Sequence, residues 1–403
     1  MGRNIAEDKK QKLWMVSELF YPDETSTAYI LSKIANKLTN KFDVNVICGP
    51  TIYDKDKKNI NTFIELSKDI KIIRKESITN KNNLLLRLIT TFFLSFRLFK
   101  SVYKKVKSDD TIFIVTNPPL LMLLVSRLKK KRKFRLVILV HDVFPENTIP
   151  AKIFSSTQNI FYRKFKNIFD RAYAQADTLI VLGEDMKEII SQKIKKYSSE
   201  TEVVIIQNWA ETDLIYPIEK NVTSEIEILF AGNLGRVQGL KEFLELITPI
   251  KNSAIKYTFA GSGSIKSELI EYVKKKNITN IYFQPPFPRE EQINILNNCD
   301  ICLITLLDEM YGLGVPSKTY NILAAGKPIL FIGNKKSEIA QMIQENHVGF
   351  VFSFEETDLL TNFLTQLSAT NLPQIREMGK QARKLAENYF SEEFILNKFL
   401  AVI

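Results

Sequence analysis

The chain has 403 residues, of which 45% are apolar and 25% are charged, with 14 glycines and 14 prolines. This composition excludes collagen-like and disordered chains, and three cysteines are too few for a disulfide framework and favour a reducing compartment. The formal net charge of +11 indicates an anionic partner, which could be nucleic acid, a lipid surface or a phosphorylated substrate.

The positive charge is concentrated in the first half of the chain. Residues 1–200 contain 37 Lys and Arg against 21 Asp and Glu, a net charge of +16, whereas residues 201–403 net −5. Residues 71–140 alone hold 17 basic and 3 acidic side chains. The two halves are therefore expected to face different partners.

The first elements in the chain do not predict secretion or a membrane span. Residues 1–12 are polar and lack the apolar stretch of a secretion signal. The longest nearly apolar stretch, residues 84–99, has only sixteen residues and contains Arg87 and Arg97. It is too short and too charged to cross a bilayer.

The same stretch has the pattern of a helix that lies in a membrane interface. Its polar side chains fall within an arc of about 160° on a helix, and apolar side chains fill the rest. A buried domain helix with basic ends would give the same periodicity, but the basic cluster at residues 127–135 favours the membrane interpretation. The residues predicted to face the membrane are Leu85, Arg87, Phe92, Phe93, Phe96, Arg97, Lys129, Lys130, Lys131 and Arg132.

Short apolar runs alternate with helical patterns throughout the chain, which predicts two parallel sheets covered by helices. The break between them is expected near residues 207–223, which are polar and precede a fresh strand. The predicted strands are Leu13–Val16, Val44–Cys48, Ile70–Ile73, Ile112–Val115, Leu136–Val140, Leu179–Leu182 and Val203–Ile206, then Ile226–Phe230, Tyr257–Ala260, Ile281–Phe283, Ile301–Ile304, Ile329–Ile332 and Phe350–Phe352.

Segments that follow strands are the places to seek chemistry, because ligands of parallel sheets bind beyond the carboxyl ends of the strands. Ser26 and Thr27 follow the first strand and could cap a helix at an anion site. His141 and Asp142 end the fifth strand, in the segment HDVFPE. Two glycine-rich turns, FAGNLGRVQGL and FAGSGS, and the segment VPSKTYNILAAGKP follow strands of the second half.

Each of these motifs also has a structural interpretation. Glycine-rich turns serve simple packing, and neither turn matches the dinucleotide fingerprint. A histidine at a strand end is often structural, although Asp142 and Glu146 beside His141 favour a site. Cys299 and Cys302 lack a second Cys or His pair, so we expect them in the core rather than on zinc. No paired carboxylates of the kind that hold a divalent ion follow a strand.

In this order, the segments YPDETSTAYIL, HDVFPE, LGEDM, QNWAE, FAGNLGRVQGL, FAGSGS and VPSKTYNILAAGKPIL resemble the retaining nucleotide-sugar glycosyltransferases of family 4. They look most like bacterial enzymes that transfer hexosamines such as N-acetylfucosamine in polysaccharide assembly. The resemblance implies the α/β GT-B fold, with two doubly wound Rossmann-like domains facing a cleft. Residues 1–212 would form the acceptor-side domain, 213–380 the nucleotide-sugar domain, and 381–403 a helix that packs back on the first domain.

The resemblance also implies roles for single residues. Arg236 and Lys318 would neutralise the diphosphate without a metal, His141 and Asp142 would complete the catalytic set, and Glu24 and Glu146 would face the acceptor. The donor would be bound by Ser26, Thr27, Gly232, Asn233, Gly235, Gln238, Gly239, Lys241, Gly261, Pro286, Phe287, Gly314, Val315, Ser317 and Asn321.

The sequence departs from the family pattern at three positions. Leu313 and Asn321 stand where the family usually has two glutamates, and Gln238 replaces a frequent lysine. Asn321 can still accept a hydrogen bond from ribose, and Lys241 or Arg236 could replace the missing cation. A degenerate or inactive relative is therefore an alternative to an active enzyme.

The expected activity is transfer of a hexose or N-acetylhexosamine from a UDP-sugar, or less readily a GDP-sugar, to a polyprenyl-diphosphate-linked acceptor in capsule, O-antigen or exopolysaccharide synthesis. No cofactor and no nucleic-acid partner are expected. The enzyme is expected in the cytoplasm, attached to the anionic inner face of the plasma membrane. The alternatives are a sugar-nucleotide 2-epimerase of the same fold and a non-enzymatic binder of anionic membrane or nucleic acid.

Overall fold

A computed structural model of the protein describes residues 10–23, 25–51, 64–76, 84–197, 199–220 and 224–403, with the backbone alone described at 84–88. The predicted acceptor residue Glu24 and the predicted membrane-facing side chains of Leu85 and Arg87 lie outside this description. All statements of absence below concern the described residues.

The first sheet has seven parallel strands in the order β3-β2-β1-β4-β5-β6-β7. Its strands are β1 Gln11–Ser17, β2 Phe42–Cys48, β3 Lys71–Arg74, β4 Thr111–Val115, β5 Arg135–Leu139, β6 Thr178–Val181 and β7 Glu202–Ile205. The helices that connect them are α1 Ser26–Leu38, α2 Leu84–Lys105, α3 Pro119–Arg132, α4 Ile160–Tyr173 and α5 Glu184–Lys195.

The second sheet has six parallel strands in the order β10-β9-β8-β11-β12-β13. Its strands are β8 Ile226–Ala231, β9 Ile255–Ala260, β10 Ile281–Gln284, β11 Ile301–Thr305, β12 Ile329–Ile332 and β13 Gly349–Phe352. The helices are α6 Leu240–Ile247, α7 Lys266–Lys275, α8 Gln292–Asn297, α9 Lys318–Ala324, α10 Glu338–Asn346, α11 Thr357–Gln366, α12 Leu372–Tyr389 and α13 Glu392–Val402.

The two sheets confirm the predicted α/β architecture, with seven and six strands in the described residues. The apolar runs that predicted the strands are buried, since helices cover both faces of a parallel sheet. Strand order reverses direction between β1 and β4 in the first sheet and between β8 and β11 in the second. Loops diverge at such points and leave room for a ligand.

Helices cover the first sheet unequally. Parallel crossovers are right-handed, so α2, α3, α4 and α5 lie on one face and α1 lies on the other. The last helix, α13, packs on α1, where Lys33 pairs with Glu392 and Lys37 pairs with Glu393, with N–O distances of 2.9 and 2.6 Å. The end of the chain therefore contacts the first sheet's domain, while the domain limits at 212 and 380 stay predictions.

The helix predicted at residues 84–99 is present as α2 and extends to Lys105. Leu94, Leu98 and Val102 pack into the core, whereas Phe92, Phe93 and Phe96 face outward. None of the helices in the described part of the chain is long and apolar enough to cross a bilayer.

Candidate functional site

The two sheets face each other across a cleft that holds two adjoining cavities. The first has a volume of about 190 Å³ and reaches Tyr29 and Glu211, and the second has about 330 Å³ and reaches His141. Four residues line both cavities, namely Ser26, Gly232, Ser317 and Lys318. The cleft therefore has a junction from which the cavities extend in two directions.

Lys318 is the cation at this junction. It is the first residue of α9, and its Nζ lies 3.4 Å from the centroid of the Phe230 ring. No carboxylate of the described residues pairs with it, and burial lowers the pKa of the ammonium from 10.5 to about 7. An enclosed cation without a partner suits an anionic ligand, which would supply the missing charge.

The backbone opposite Lys318 leaves space for such a ligand. Gly232 directly follows β8 with φ +132°, and a Cβ there would come no closer than 3.8 Å to the nearest heavy atom, the Lys318 Cδ. Gly261 directly follows β9 with φ +143°, and its Cβ would lie 1.9 Å from the Gly232 carbonyl oxygen. Gly261 is thus required by packing, whereas Gly232 borders open cleft.

His141 and Asp142 are held at the rim of the second cavity by the other sheet's domain. Asp142 forms an antiparallel bridge with Gly314, and the Val143 N–H donates to the Leu313 carbonyl at 2.9 Å. The His141 Nε2 is buried without a hydrogen-bond partner, and burial lowers the histidine pKa from 6.5 to about 4. At neutral pH this imidazole is uncharged and free to bond a ligand.

The end of the first cavity is built by a buried polar network. Arg289 forms an ion pair with Glu211, and its guanidinium stacks on the Tyr29 ring at 3.5 Å from the centroid. The Asn321 Nδ2 donates to the Glu211 carboxylate at 3.0 Å, and the Glu211 N–H donates back to the Asn321 Oδ1 at 3.0 Å. Burial and the Glu211 carboxylate raise the pKa of Tyr29. Both sheets' domains thus contribute to one wall of the cavity.

Comparisons with known proteins show which enzymes this chain resembles. Residues 211–385, which carry Glu211, Gly232, Arg289 and Lys318, match the family model described as glycosyl transferases group 1. The probable glycosyltransferase WbjE of Pseudomonas aeruginosa is 29% identical over 401 residues, 97% of each chain.

The chain is a glycosyltransferase.

Two further relatives support the fold and the class of this glycosyltransferase. The putative colanic acid biosynthesis glycosyl transferase WcaI of Escherichia coli is 22% identical over 230 residues, 53% of this chain and 54% of its own. The structure of Anabaena Alr3699/HepE in complex with UDP superposes with a TM-score of 0.67 at 13% identity, covering 97% of this chain and 99% of the other. At that identity the structural likeness demonstrates the GT-B fold alone.

Twelve of the predicted catalytic and donor residues line the two cavities of the glycosyltransferase. Phe287 and Asn321 line the first cavity, and the four junction residues described above line both. The second cavity is lined by those four and by His141, Asp142, Asn233, Gln238, Gly314 and Val315. Residues from five separate segments therefore meet in one cleft.

Other predicted site residues lie away from these cavities. Arg236 is exposed in the 3-10 helix Arg236–Gln238, and Lys241 is exposed and paired with Glu268 at 2.8 Å. Glu146 is held by Lys193 at 2.5 Å and by Lys166, which ties its loop to α4 and α5. The remaining predicted donor residues, which do not line either cavity, are Thr27, Gly235, Gly239, Gly261 and Pro286.

One local prediction was wrong. Thr25, not Ser26 or Thr27, caps α1, because its hydroxyl accepts from the Ala28 N–H at 3.3 Å. Ser26 is instead the first helical residue, and it lines the cleft.

The predicted membrane-facing cations of the glycosyltransferase divide into two groups. Lys130 and Lys131 are exposed. Lys129 pairs with Asp177 at 2.6 Å, Arg132 lies over the Tyr103 ring, and Arg97 donates to the Glu76 carbonyl. Within the described residues the second group is thus tied to the protein, whereas Lys130 and Lys131 face solvent.

Cys299 and Cys302 are buried in the core, with 3.4 Å between their sulfur atoms. No group of three or more His, Cys, Asp or Glu side chains that could hold a metal ion occurs in the described part of the chain.

Proposed function

We propose that this glycosyltransferase moves a hexose or an N-acetylhexosamine, N-acetylfucosamine among them, from a UDP-sugar to a polyprenyl-diphosphate-linked acceptor. The reaction would retain the anomeric configuration, need no metal, and serve capsule, O-antigen or exopolysaccharide synthesis. The observation that carries the proposal is Lys318, an enclosed cation without a carboxylate partner in the described residues, at the junction of two cavities.

The donor fits this junction in one orientation. The diphosphate lies between Lys318 and the open backbone at Gly232. The nucleoside extends into the first cavity, where Trp209 and Phe287 offer apolar contacts and Glu211 offers an acceptor for hydroxyl groups. The sugar extends into the second cavity toward His141, whose uncharged imidazole bonds sugar hydroxyls.

The chemistry follows from this placement. When the bond between the anomeric carbon and the β-phosphate oxygen breaks, its electron pair leaves with UDP and the diphosphate gains negative charge. Lys318 stabilises that charge more strongly in the transition state than in the donor, which accelerates the step. The acceptor hydroxyl oxygen then bonds the anomeric carbon, and its proton passes to the oxygen of the departing diphosphate.

Relatives support the donor and pathway parts of the proposal. WbjE is named as a probable glycosyltransferase, WcaI is named for colanic acid biosynthesis, and the Anabaena protein was solved with UDP. UDP is a nucleoside diphosphate, and its negative charge suits the enclosed Lys318 of the cleft.

The acceptor and location parts of the proposal depend on the first sheet's domain. We place the enzyme in the cytoplasm, at the inner face of the plasma membrane, where a polyprenyl-diphosphate sugar is found. The exposed aromatic side chains of α2 and the exposed lysines of α3 support such a surface.

Product analysis tests the proposal. The protein is incubated with UDP-N-acetylglucosamine or related UDP-hexoses and a short polyprenyl-diphosphate sugar, with chelator present, and the products are separated by mass. Transfer supports the proposal. Donor conversion without acceptor would indicate a 2-epimerase, and no consumption of any donor, beside an active transferase of known specificity, would contradict it.

A further inference from the structure

The helix α4 presents a row of large apolar side chains to solvent. Ile160 and Phe161 are each 64% exposed, Phe165 is 45% exposed and Ile168 is 41% exposed. Ile153, in the loop before the helix, is 71% exposed. The four helical residues fall within about 140° of the helix circumference, so they form one strip, which is interrupted only by the exposed Lys164 between Ile160 and Ile168. Single exposed apolar residues need no explanation, but a strip of this size does.

Folding of the domain does not account for this strip. The opposite side of α4 is packed in the core through Tyr162, Phe169 and Tyr173, all nearly inaccessible to solvent. A surface helix needs only one apolar face to bury. The second apolar face of α4 is therefore available for something outside the chain.

A chain of aromatic rings connects the strip with the cleft. The Phe165 and Phe169 rings lie 6.4 Å apart between centroids, and the Phe169 and Phe144 rings lie 4.6 Å apart. Phe144 comes two residues after Asp142, which lines the second cavity. Whatever binds the strip therefore lies beside the cleft.

The strip shares its side of the first sheet with the exposed aromatic residues of α2. The helix α3 packs against both α2 and α4, so α2 and α4 lie about 20 Å apart. Each helix starts at the cleft edge of the sheet, and most of the exposed apolar residues described on it occur in its first half, with Phe96 and Tyr103 of α2 and Ile168 of α4 further along. We call the surface of α2, α3 and α4 the outer face.

Charge identifies the partner of the outer face. Its three helices contain fourteen Lys and Arg and a single acidic residue, Asp170, which is buried against Lys193. On α4 the exposed Lys164 lies within the strip, Arg163 lies beside it and Arg171 follows its last residue. A second copy of the chain would oppose cations to cations, and aliphatic side chains such as Ile160 cannot stack on nucleic-acid bases. Apolar side chains bordered by cations fit an anionic bilayer surface.

We infer that α4 and Ile153 form a second membrane contact, which inserts the strip into the interface of an anionic bilayer together with α2. This inference rests on the membrane location in the proposed function. One amphipathic helix attaches a protein but leaves it free to tilt. Two contacts about 20 Å apart fix the tilt and hold the cleft edge at the membrane, where a lipid-linked acceptor arrives.

Tryptophan reporters in the full-length protein test the inference. The variants are Phe165→Trp in the strip, Phe93→Trp on α2 and Phe394→Trp on α13, which packs against the opposite face of the sheet. Phe394 is 42% exposed and so matches Phe165, and the native Trp14 and Trp209 are buried. Vesicles contain phosphatidylglycerol and phosphatidylcholine, with or without brominated acyl chains. We expect bromine quenching and a blue shift for Phe165→Trp and Phe93→Trp, and neither for Phe394→Trp.

The outcomes separate the inference from the proposed function. Quenching at position 93 but not at 165 overturns the α4 contact and leaves a membrane location standing. If none of the three variants binds vesicles, the membrane location and the α4 contact are both overturned. Quenching at position 394 as well overturns the assignment of the outer face.

A loss-of-contact variant gives the second test. Phe161→Ser with Phe165→Ser removes two side chains that are 64% and 45% exposed, and circular dichroism and urea unfolding verify that the variant folds. Vesicle binding should weaken at least tenfold, while transfer to a water-soluble acceptor stays at the wild-type rate. Unchanged vesicle binding, or a concentration-dependent dimer that this variant abolishes, would overturn the inference.

Discussion

The glycosyltransferase has two regions suited to anions, and they are built in opposite ways. The outer face carries many exposed cations with apolar side chains between them and no exposed carboxylate among its described residues. The cleft carries one enclosed cation, Lys318, next to a wall in which the other charges are paired. The outer face suits an extended, variable surface, and the cleft suits one small ligand in one position.

The difference shows how exposure decides what a positive charge does. Exposed lysines keep their hydration and act in number, each with a weak effect that salt screens. An enclosed lysine has lost its hydration, so a single ligand charge changes its state strongly. The +11 net charge of the chain therefore reflects the outer face, while the chemistry depends on one residue that hardly affects the total.

The largest effect is expected at the cleft cation. Lys318→Ala should lower the transfer rate about 100- to 1000-fold, because it removes a charge that stabilises the leaving diphosphate. Steady-state release of UDP measures the rate, and Lys318→Arg, which keeps a charge, should retain more activity. Wild-type turnover by Lys318→Ala would show that transfer does not need the cleft lysine and would contradict the role given to the cleft.

The next effect concerns the paired charges of the cleft wall. Arg289→Met leaves the buried Glu211 carboxylate without its ion pair, so the free energy of unfolding should fall by about 3 kcal/mol. Lys241→Met is the matched control, because its pair with Glu268 is exposed and screened by solvent, so its loss should leave the free energy of unfolding nearly unchanged. Urea unfolding measures both, and equal losses would contradict the distinction between buried and exposed pairs.

Membrane binding by the outer face should depend on its exposed lysines and not on its paired ones. Lys130→Ala with Lys131→Ala should weaken binding to phosphatidylglycerol vesicles about 30-fold, at about 1 kcal/mol for each lysine near the surface. Lys129→Ala should have a smaller effect, because Lys129 already pairs with Asp177. Vesicle sedimentation at low salt measures the loss of affinity. Equal losses of affinity from replacing Lys129 and from replacing Lys130 would contradict the distinction between paired and exposed cations.

The smallest effect is a pH dependence of donor binding. Burial lowers the pKa of Lys318 to about 7, so the free enzyme loses this charge as pH rises above 7, while the diphosphate stays ionised. A bound diphosphate raises that pKa, so UDP affinity should fall with rising pH, by up to about tenfold per unit. Calorimetry between pH 6.5 and 9 measures it, and Lys318→Arg should show a flat profile. A flat profile in the wild type would contradict an enclosed Lys318.

The sequence predicted the strands well because their signal is local. Buried parallel strands are continuous apolar runs, so Ile329–Ile332 was located to the residue, and the edge strand β3 was displaced by one. The same argument located the strand ends, which placed His141 and Lys318 in the cleft. The cap at Thr25 was missed because three adjacent small polar residues compete for that position.

The cleft wall and the second face of α4 were not predictable in this way. Glu211 contacts Arg289 and Asn321 across 78 and 110 residues, and no local pattern indicates such a pairing. Tyr29 has the spacing of an ordinary core position on α1. In α4, apolar residues occur on both sides of the helix, so the periodicity does not reveal which side the domain buries until the fold is known.

A crystal structure with a UDP-sugar bound tests the central claim most directly. The account predicts the diphosphate within hydrogen-bonding distance of the Lys318 Nζ and beside Gly232, the nucleoside toward Glu211 and the sugar toward His141. A donor bound elsewhere, or a diphosphate that leaves Lys318 over the Phe230 ring without contact, would contradict it.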